Sequence, residues 1–249
     1  MTISVGDIEV DVLLKKIKNM HLYVKPADGR VSVSAPLGAK AESIALFVRK
    51  NYAWVMKHRK AIQDQPRESP RRYVNGETHY LWGEQYFLTV KSQGVRNWGG
   101  ISLSGNEMTL IAPEVSTVRS RGEYVTEWYR RILSREIVER MPCWEQVTGF
   151  HAQDFVIQNM VRSWGTCNPR KGLVRFNLQL VKNPKEALDY VIVHELCHFK
   201  YQSHGPMFRR LLDRFMPNWR DVRRRLNASP VWSQPDTLSA VAKDDIIWS

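Results

Sequence analysis

Only three cysteines occur among the 249 residues, Cys143, Cys167 and Cys197, and none stands in C-x-x-C spacing with another. An odd and scattered set excludes a disulfide framework and argues against a cysteine-rich zinc knuckle. No window approaches eighteen uncharged apolar residues, so no membrane-spanning helix and no membrane partner are expected. The first residues lack the basic start and unbroken apolar run of a signal peptide, because Asp7, Glu9 and Asp11 interrupt them. A cytoplasmic protein is expected. Acidic residues are also in deficit, 25 against 37 Lys and Arg, and the resulting charge of +12 favours polyanionic partners such as nucleic acid, nucleotides or acidic polypeptide. Charge alone does not choose among them.

What is present is enough apolar chain, 43%, for one large domain or two smaller ones. The pattern is of the α+β class. Ile8, Val10 and Val12 alternate with acids, Met20, Leu22 and Val24 alternate likewise, and Val31, Val33 and Ala35 repeat the pattern after Asp28-Gly29, a hairpin signal. A single helix is then expected from Lys40 to about Ile62. The stretch 63–72 carries two prolines and no apolar anchor, and reads as a loop. Strands follow at Thr78 to Trp82, Gln85 to Val90, Ile101 to Leu103 and Met108 to Ile111. The chain is expected to divide into a β-rich α+β region over 1–115, a catalytic region over 116–229 and a flexible tail over 230–249. Within the catalytic region a helix from about Thr117 should end at Pro142, with strands at Asp154 to Asn159 and, longer, at Gly172 to Val181.

The chemistry gathers in one stretch, Val191 to Pro206, which contains His194-Glu195-Leu-Cys-His198 and, after five more residues, His204. On a helix His194 and His198 share one face, where both imidazoles can grip one ion. Glu195, about 100° round the helix, is placed to act on water instead of on the metal. Asn183 as N-cap, Pro184 in the first turn and Glu186 in a capping box predict the helix start. Leu188, Val191, Ile192 and Leu196 predict a buried helix, in which Cys197 is a small packed residue. His204 is read as a third ligand, since two histidines leave an ion under-coordinated; the other reading is a surface loop residue. Three imidazoles suit one Zn²⁺ per chain, with Mn²⁺, Co²⁺ or Ni²⁺ as alternatives because imidazole does not select sharply. Metal-activated water with Glu195 as general base attacks a carbonyl or phosphoryl centre. Tyr201, Arg162 and backbone N–H groups of the 172–181 strand are candidate stabilisers of the developing charge. Trp164 is either a core aromatic beneath the helix or a residue of the site, and Gly165 beside it permits close backbone approach.

Several segments, taken in order, resemble a known family: Trp164-Gly-Thr-Cys167, Arg175-Phe-Asn177-Leu-Gln-Leu-Val181, Asp189 to His198, His204-Gly-Pro-Met-Phe208 and Pro217-Asn-Trp219. They are similar to the YgjP-like metallopeptidases, relatives of the SprT-like and WLM proteases within the zincins. The resemblance implies a minimal zincin-like fold, His194, His198 and His204 as metal ligands and Glu195 as general base. Trp164 and Asn177 lie in the matched segments and join Tyr201 and Arg162 as candidate contacts to substrate or transition state. The family pattern is expected to place Arg directly before the Trp, where this chain has Ser163, with Arg162 one place earlier.

The leading expectation is a zinc-dependent peptidase acting on extended polypeptide, which a strand beside the metal helix can hold by β-augmentation. A metal-dependent nucleotide phosphohydrolase is the alternative, although no glycine-rich phosphate cradle is present. A non-catalytic DNA-binding module with a structural metal is a third, disfavoured because such a site has no need of Glu195. Basic residues clustered on the helices at Arg130 to Arg140 and Arg209 to Arg225 leave nucleic-acid or nucleotide binding open.

Overall fold

The computed structural model describes residues 1–24, 30–64, 71–92, 94, 96–160 and 163–229, with only the backbone described at 58 and 61–64. The turn at Asp28-Gly29, most of the 63–72 loop, Arg162 and the 230–249 tail therefore lie outside the described residues. The chain forms two compact units, Met1–Pro66 and Arg67–Ser249. The boundary expected at 115 falls inside the second.

In the first unit, β1 (Thr2–Val5), β2 (Ile8–Lys15), β3 (His21–Val24) and β4 (Val31–Pro36) form one sheet in the order β1-β2-β4-β3. Alternation along β2 sends Ile8, Val10 and Val12 inward, where they meet Val31, Val33, Ile44, Val48 and Val55. The single helix expected over 40–62 is two, α1 (Ala41–Lys50) and α2 (Tyr52–Asp64). The break is at Asn51, whose side chain donates to the Phe47 carbonyl at 2.8 Å and competes with helix continuation. No helix among the described residues is long and apolar enough to cross a membrane.

The second unit begins with a sheet of β5 (Thr78–Leu81), β6 (Glu84–Lys91), β7 (Gly100–Ser104) and β8 (Glu107–Ile111), ordered β5-β6-β8-β7. Its inward residues Leu81, Leu88, Met108 and Leu110 share one core with the helices that follow. The helix α3 (Val118–Thr148) starts at a capping box in which Thr117 accepts from the Ser120 amide and Ser120 reciprocates. It does not stop at Pro142 as expected. The carbonyl deprived of its partner is that of Val138, a residue 60% exposed and so on the solvent side of the helix, and the helix continues to a left-handed Gly149.

A three-stranded sheet, β10-β11-β9, follows: β9 (Asp154–Gln158), β10 (Gly165–Asn168) and β11 (Leu173–Asn177). The long strand expected over 172–181 ends at Asn177, whose side-chain oxygen accepts from the Gln179 amide at 3.1 Å and turns the chain into 3-10 geometry. β11 is central, antiparallel to β10 and parallel to β9. β10 is therefore an edge, and it packs against α4 (Lys185–Cys197). Buried almost all round, α4 is the hub of the unit. Half-buried Asp189 accepts from Arg140 and from the Trp144 indole, both at 2.7 Å, and so pins α4 to α3. The helix start differs from expectation. Pro184 is the N-cap residue, and the Asn183 side chain instead donates to the Gln179 carbonyl and accepts from Ser229. Glu186 is drawn to Asn218 and Arg225 of the C-terminal region. The remaining helices are α5 (Pro206–Phe215) and α6 (Trp219–Ala228).

One buried histidine outside the histidine cluster contributes to the acid limit of this unit. His79, 1% exposed, is held neutral by burial, with its pKa pushed down to about 3. The unfolded chain protonates it below about 6.5, so across pH 3 to 6.5 the unfolded state binds more protons and stability falls as pH falls. Urea midpoints measured between pH 7 and 4.5 should therefore decline less steeply in His79→Asn than in the wild type. The wild-type decline contributed by this residue approaches about 1.4 kcal/mol per pH unit.

Candidate metal centre

Helix α4 ends at Cys197, and His198 is its C-cap residue. The chain then turns, with the Tyr201 amide bonded to the Cys197 carbonyl at 3.0 Å, before Gly205 and Pro206 start α5. That turn brings His204 back over the end of α4. The Nε2 atoms of His194, His198 and His204 form a near-equilateral triangle with edges of 3.1, 3.2 and 3.1 Å. A tetrahedral ion with metal–nitrogen bonds of about 2.0–2.1 Å spaces its nitrogens about 3.3 Å apart. The triangle fits such an ion, and among the described residues it is the one cluster of three or more metal-ligating side chains.

The donor chemistry agrees with the geometry. His198 Nδ1 lies 3.0 Å from the Tyr201 carbonyl, which can only accept, so Nδ1 carries the proton and Nε2 keeps its lone pair. Burial drives the pKa of His194 well below its ordinary value and that of His198 down as well. His204 is pushed down to about 4 by burial first, then by His198 and the charges of Arg223 and Arg209. All three are neutral at pH 7, the form a metal needs. The ring of Phe208 from α5 sits beneath the triangle, with centroids 4.9, 4.8 and 4.8 Å from those of His194, His198 and His204. Sequence reasoning gave Phe208 no role at the site beyond its place in a segment that resembles the family. The His204-Gly-Pro-Met-Phe208 spacing, which puts it one helical turn past the third histidine, was the signal available. Tyr190, one turn before His194, faces the ring's other nitrogen with its hydroxyl 3.4 Å from Nδ1.

Glu195 lies alongside, 1% exposed, with its pKa raised to about 8 by burial. Its Oε2 has no hydrogen-bond partner, a buried polar atom of the kind that marks a place for water or ligand. Gly165 of β10 explains how the carboxylate fits. A Cβ there would come within 2.6 Å of Glu195 Oε1 and 2.8 Å of both Glu195 Cγ and Val191 Cγ1. Only glycine lets the strand edge lie this close.

The other predicted site residues are distributed differently. Tyr201 takes part through its carbonyl. Asn177 is buried, and its amide donates to the carbonyls of Met160 and Ser163 at 2.8 and 2.9 Å, so its polar atoms hold the loop that leads to β10. Trp164 packs against the main core, and its carbonyl accepts from the Asn177 amide at 2.9 Å. Arg162 lies outside the described residues. The cysteines are free; Cys197 is buried and burial raises both its thiol and that of Cys167 to about 12.

The family model described as YgjP-like, metallopeptidase domain, matches residues 18–229. No curated protein matches the chain. Among solved structures, the metallopeptidase zymogen abylysin of Pyrococcus abyssi is similar over 36% of this chain and 90% of its own, at 18% identity and a TM-score of 0.34. The zymogen jannalysin of Methanocaldococcus jannaschii is similar over 36% and 93%, at 22% identity and a TM-score of 0.33.

Proposed function

The chain belongs to the YgjP-like metallopeptidase family, and from that premise we propose that it is a zinc-dependent peptidase in which His194, His198 and His204 hold the ion and Glu195 is the general base. The observation that carries the reading is the Nε2 triangle with an unpartnered buried carboxylate beside it. When bound, the ion supplies Lewis acidity, acidifying water and polarising the scissile carbonyl. Glu195 Oε2 takes the proton from the attacking water and returns it to the leaving amine, the two-way transfer that a carboxylate with a raised pKa performs near neutral pH. Edge strand β10 is the platform for an extended substrate: its outer backbone groups pair with none of the described strands, and Gly165 lies against Glu195. This replaces the 172–181 strand, whose ordered part is central and paired on both sides.

Cleavage of a reduced, unfolded polypeptide by the metal-loaded chain, lost on chelation and restored by Zn²⁺, is the expected result. Hydrolysis of nucleoside triphosphates in place of polypeptide would overturn it. The ligand set has its own test. His204→Ala should weaken Zn²⁺ binding by more than about 100-fold, since removing one of three ligands costs more than disturbing a supporting partner. It should also abolish the rise in melting temperature that Zn²⁺ gives the wild type by binding the folded state. Wild-type affinity in this variant, read by competition with a chromogenic chelator, rules out His204 as a ligand.

A further inference from the structure

The basic stretch that follows the histidines separates, in the structure, into two kinds of arginine. Arg220 is paired with Asp213, Arg224 with Asp221, and Arg225 with Glu186 at 2.5 Å. Arg210 donates to the Met207 sulfur, and Arg214 lies over the Phe215 ring. Arg209 and Arg223 differ. Neither side chain makes a hydrogen bond or ion pair among the described residues. Both line one cleft of about 300 Å³, counting its open mouth, with His194, His204, Phe208, Leu212 and Trp219. Arg223 is half-buried on α6, and no acid lines the cleft. Its charge is felt at His194, His204 and Tyr190, which places it within electrostatic reach of the triangle.

Two guanidinium groups beside a dication site repel it and each other, and salt screens a half-buried group only in part. An anion lying between them reverses the sign of every one of those interactions. The guanidinium fork matches a carboxylate in two parallel hydrogen bonds. The rest of the cleft is apolar, from Phe208, Leu212 and Trp219, and suits the stem of an amino-acid side chain or a terminal residue. We propose that Arg223, assisted by Arg209, forms a specificity subsite that takes a carboxylate of the polypeptide substrate, either an acidic side chain near the scissile bond or a free C-terminus. This rests on the peptidase reading and names its substrate class.

The test uses the zinc-loaded full chain and paired peptides that differ by Glu against Gln at each position around the cleavage point, or by acid against amide at the C-terminus. The readout is the ratio of kcat/KM within each pair. Wild type should prefer the carboxylate at one position by about 10- to 100-fold, the range of a charge-assisted contact. The pair that shows the preference tells an acidic side chain from a chain end. Arg223→Gln should bring that ratio near one, Arg223→Lys should leave it intermediate, and Arg209→Gln should reduce it. Arg224→Gln, which alters an exposed arginine outside the cleft, should keep the wild-type ratio. Melting curves establish that each variant is folded. A ratio near one in wild type, or one unaltered in both Arg223 variants, overturns the subsite while leaving the peptidase reading intact. The converse failure is visible in binding. If no peptide is cleaved, yet zinc-loaded Glu195→Gln binds the carboxylate peptides more tightly and loses that preference when Arg223→Gln is added, the subsite stands and hydrolysis falls.

Discussion

Replacing Glu195 with glutamine is expected to reduce kcat/KM by about 10³-fold or more while raising the stability of the metal-free protein, two effects with one cause. The catalytic loss follows from removing the buried carboxylate that adjoins the first histidine, in the upper part of the range that general acid–base catalysis contributes. The stability gain follows from burial. With its pKa near 8 in the fold and about 4.5 outside it, the carboxyl keeps its proton in the native state between those values while the unfolded chain releases it. For this group the native state keeps a proton that the unfolded state releases, so Glu195 contributes to the metal-free wild type a loss of stability as pH rises from 4.5 to 8, by up to about 1.4 kcal/mol per unit, against the opposite slope of the buried histidines below 6.5. Glutamine has the same shape and no proton to lose, so its curve should lack that slope. Zn²⁺ reverses part of the effect in wild type, because a nearby dication favours the carboxylate. Denaturation at pH 5 and pH 8, with and without Zn²⁺, together with peptide cleavage, checks both halves. A variant that loses activity and stability together would assign Glu195 a packing role in place of a catalytic one.

Four histidines with lowered pKa values, His79, His194, His198 and His204, oppose Glu195, so the metal-free protein has its best stability in a range around pH 6.5. Below that range His79 gains a proton only on unfolding, and above it Glu195 loses one only on unfolding. The functional group is thus held at an energetic disadvantage by the same helix that is the hub of the fold. That is the usual relation between an active site and the scaffold that carries it.

The metal helix was legible because its signals are short in range. His194 and His198 share a face by helical geometry alone, with Glu195 about 100° round from it, and the buried face of α5 and that of α6 follow from 3.6-residue spacing. The parts that were not legible depend on partners far away in sequence. Pro142 stops a helix only if the freed carbonyl has nowhere to go, and the exposure of Val138 is a tertiary fact. Asn183 has an N-cap's chemistry, but Ser229, 46 residues away, and the Gln179 carbonyl take its side chain first. The run Leu178-Gln-Leu-Val181, apolar at three of four positions, reads as strand, yet it is buried in 3-10 geometry because Asn177 turns the chain. β10 was missed altogether: Gly-Thr-Cys-Asn has little strand propensity and no alternation, and its pairing with β11 supplies what its sequence does not. That omission matters most for the proposed function, because β10 is the strand that lies against Glu195, the proposed general base.

Gly165→Ala is expected to reduce peptide cleavage by about 100-fold while leaving Zn²⁺ bound, because the added methyl meets the base and not the ligands. Its Cβ would lie 2.6 Å from Glu195 Oε1, an end that can rotate, but also 2.8 Å from Glu195 Cγ and from Val191 Cγ1. Those two atoms are fixed close to the backbone of α4, which is buried almost all round and cannot retreat. The strand must move instead, carrying the substrate platform away from the triangle, and a displacement on the order of 1 Å is enough for a 10²-fold loss. Overpacking of this kind costs about 1–3 kcal/mol of stability. A double-mutant cycle separates the causes. If the clash is with the Glu195 side chain, Gly165→Ala should be less destabilising in a Glu195→Ala background, where two of the three close contacts are gone, and the coupling should exceed about 0.5 kcal/mol. Additive destabilisation would place the strain at Val191 alone. Full activity in the single variant would show that β10 can shift without consequence, and so would remove it as the platform that presents substrate to Glu195.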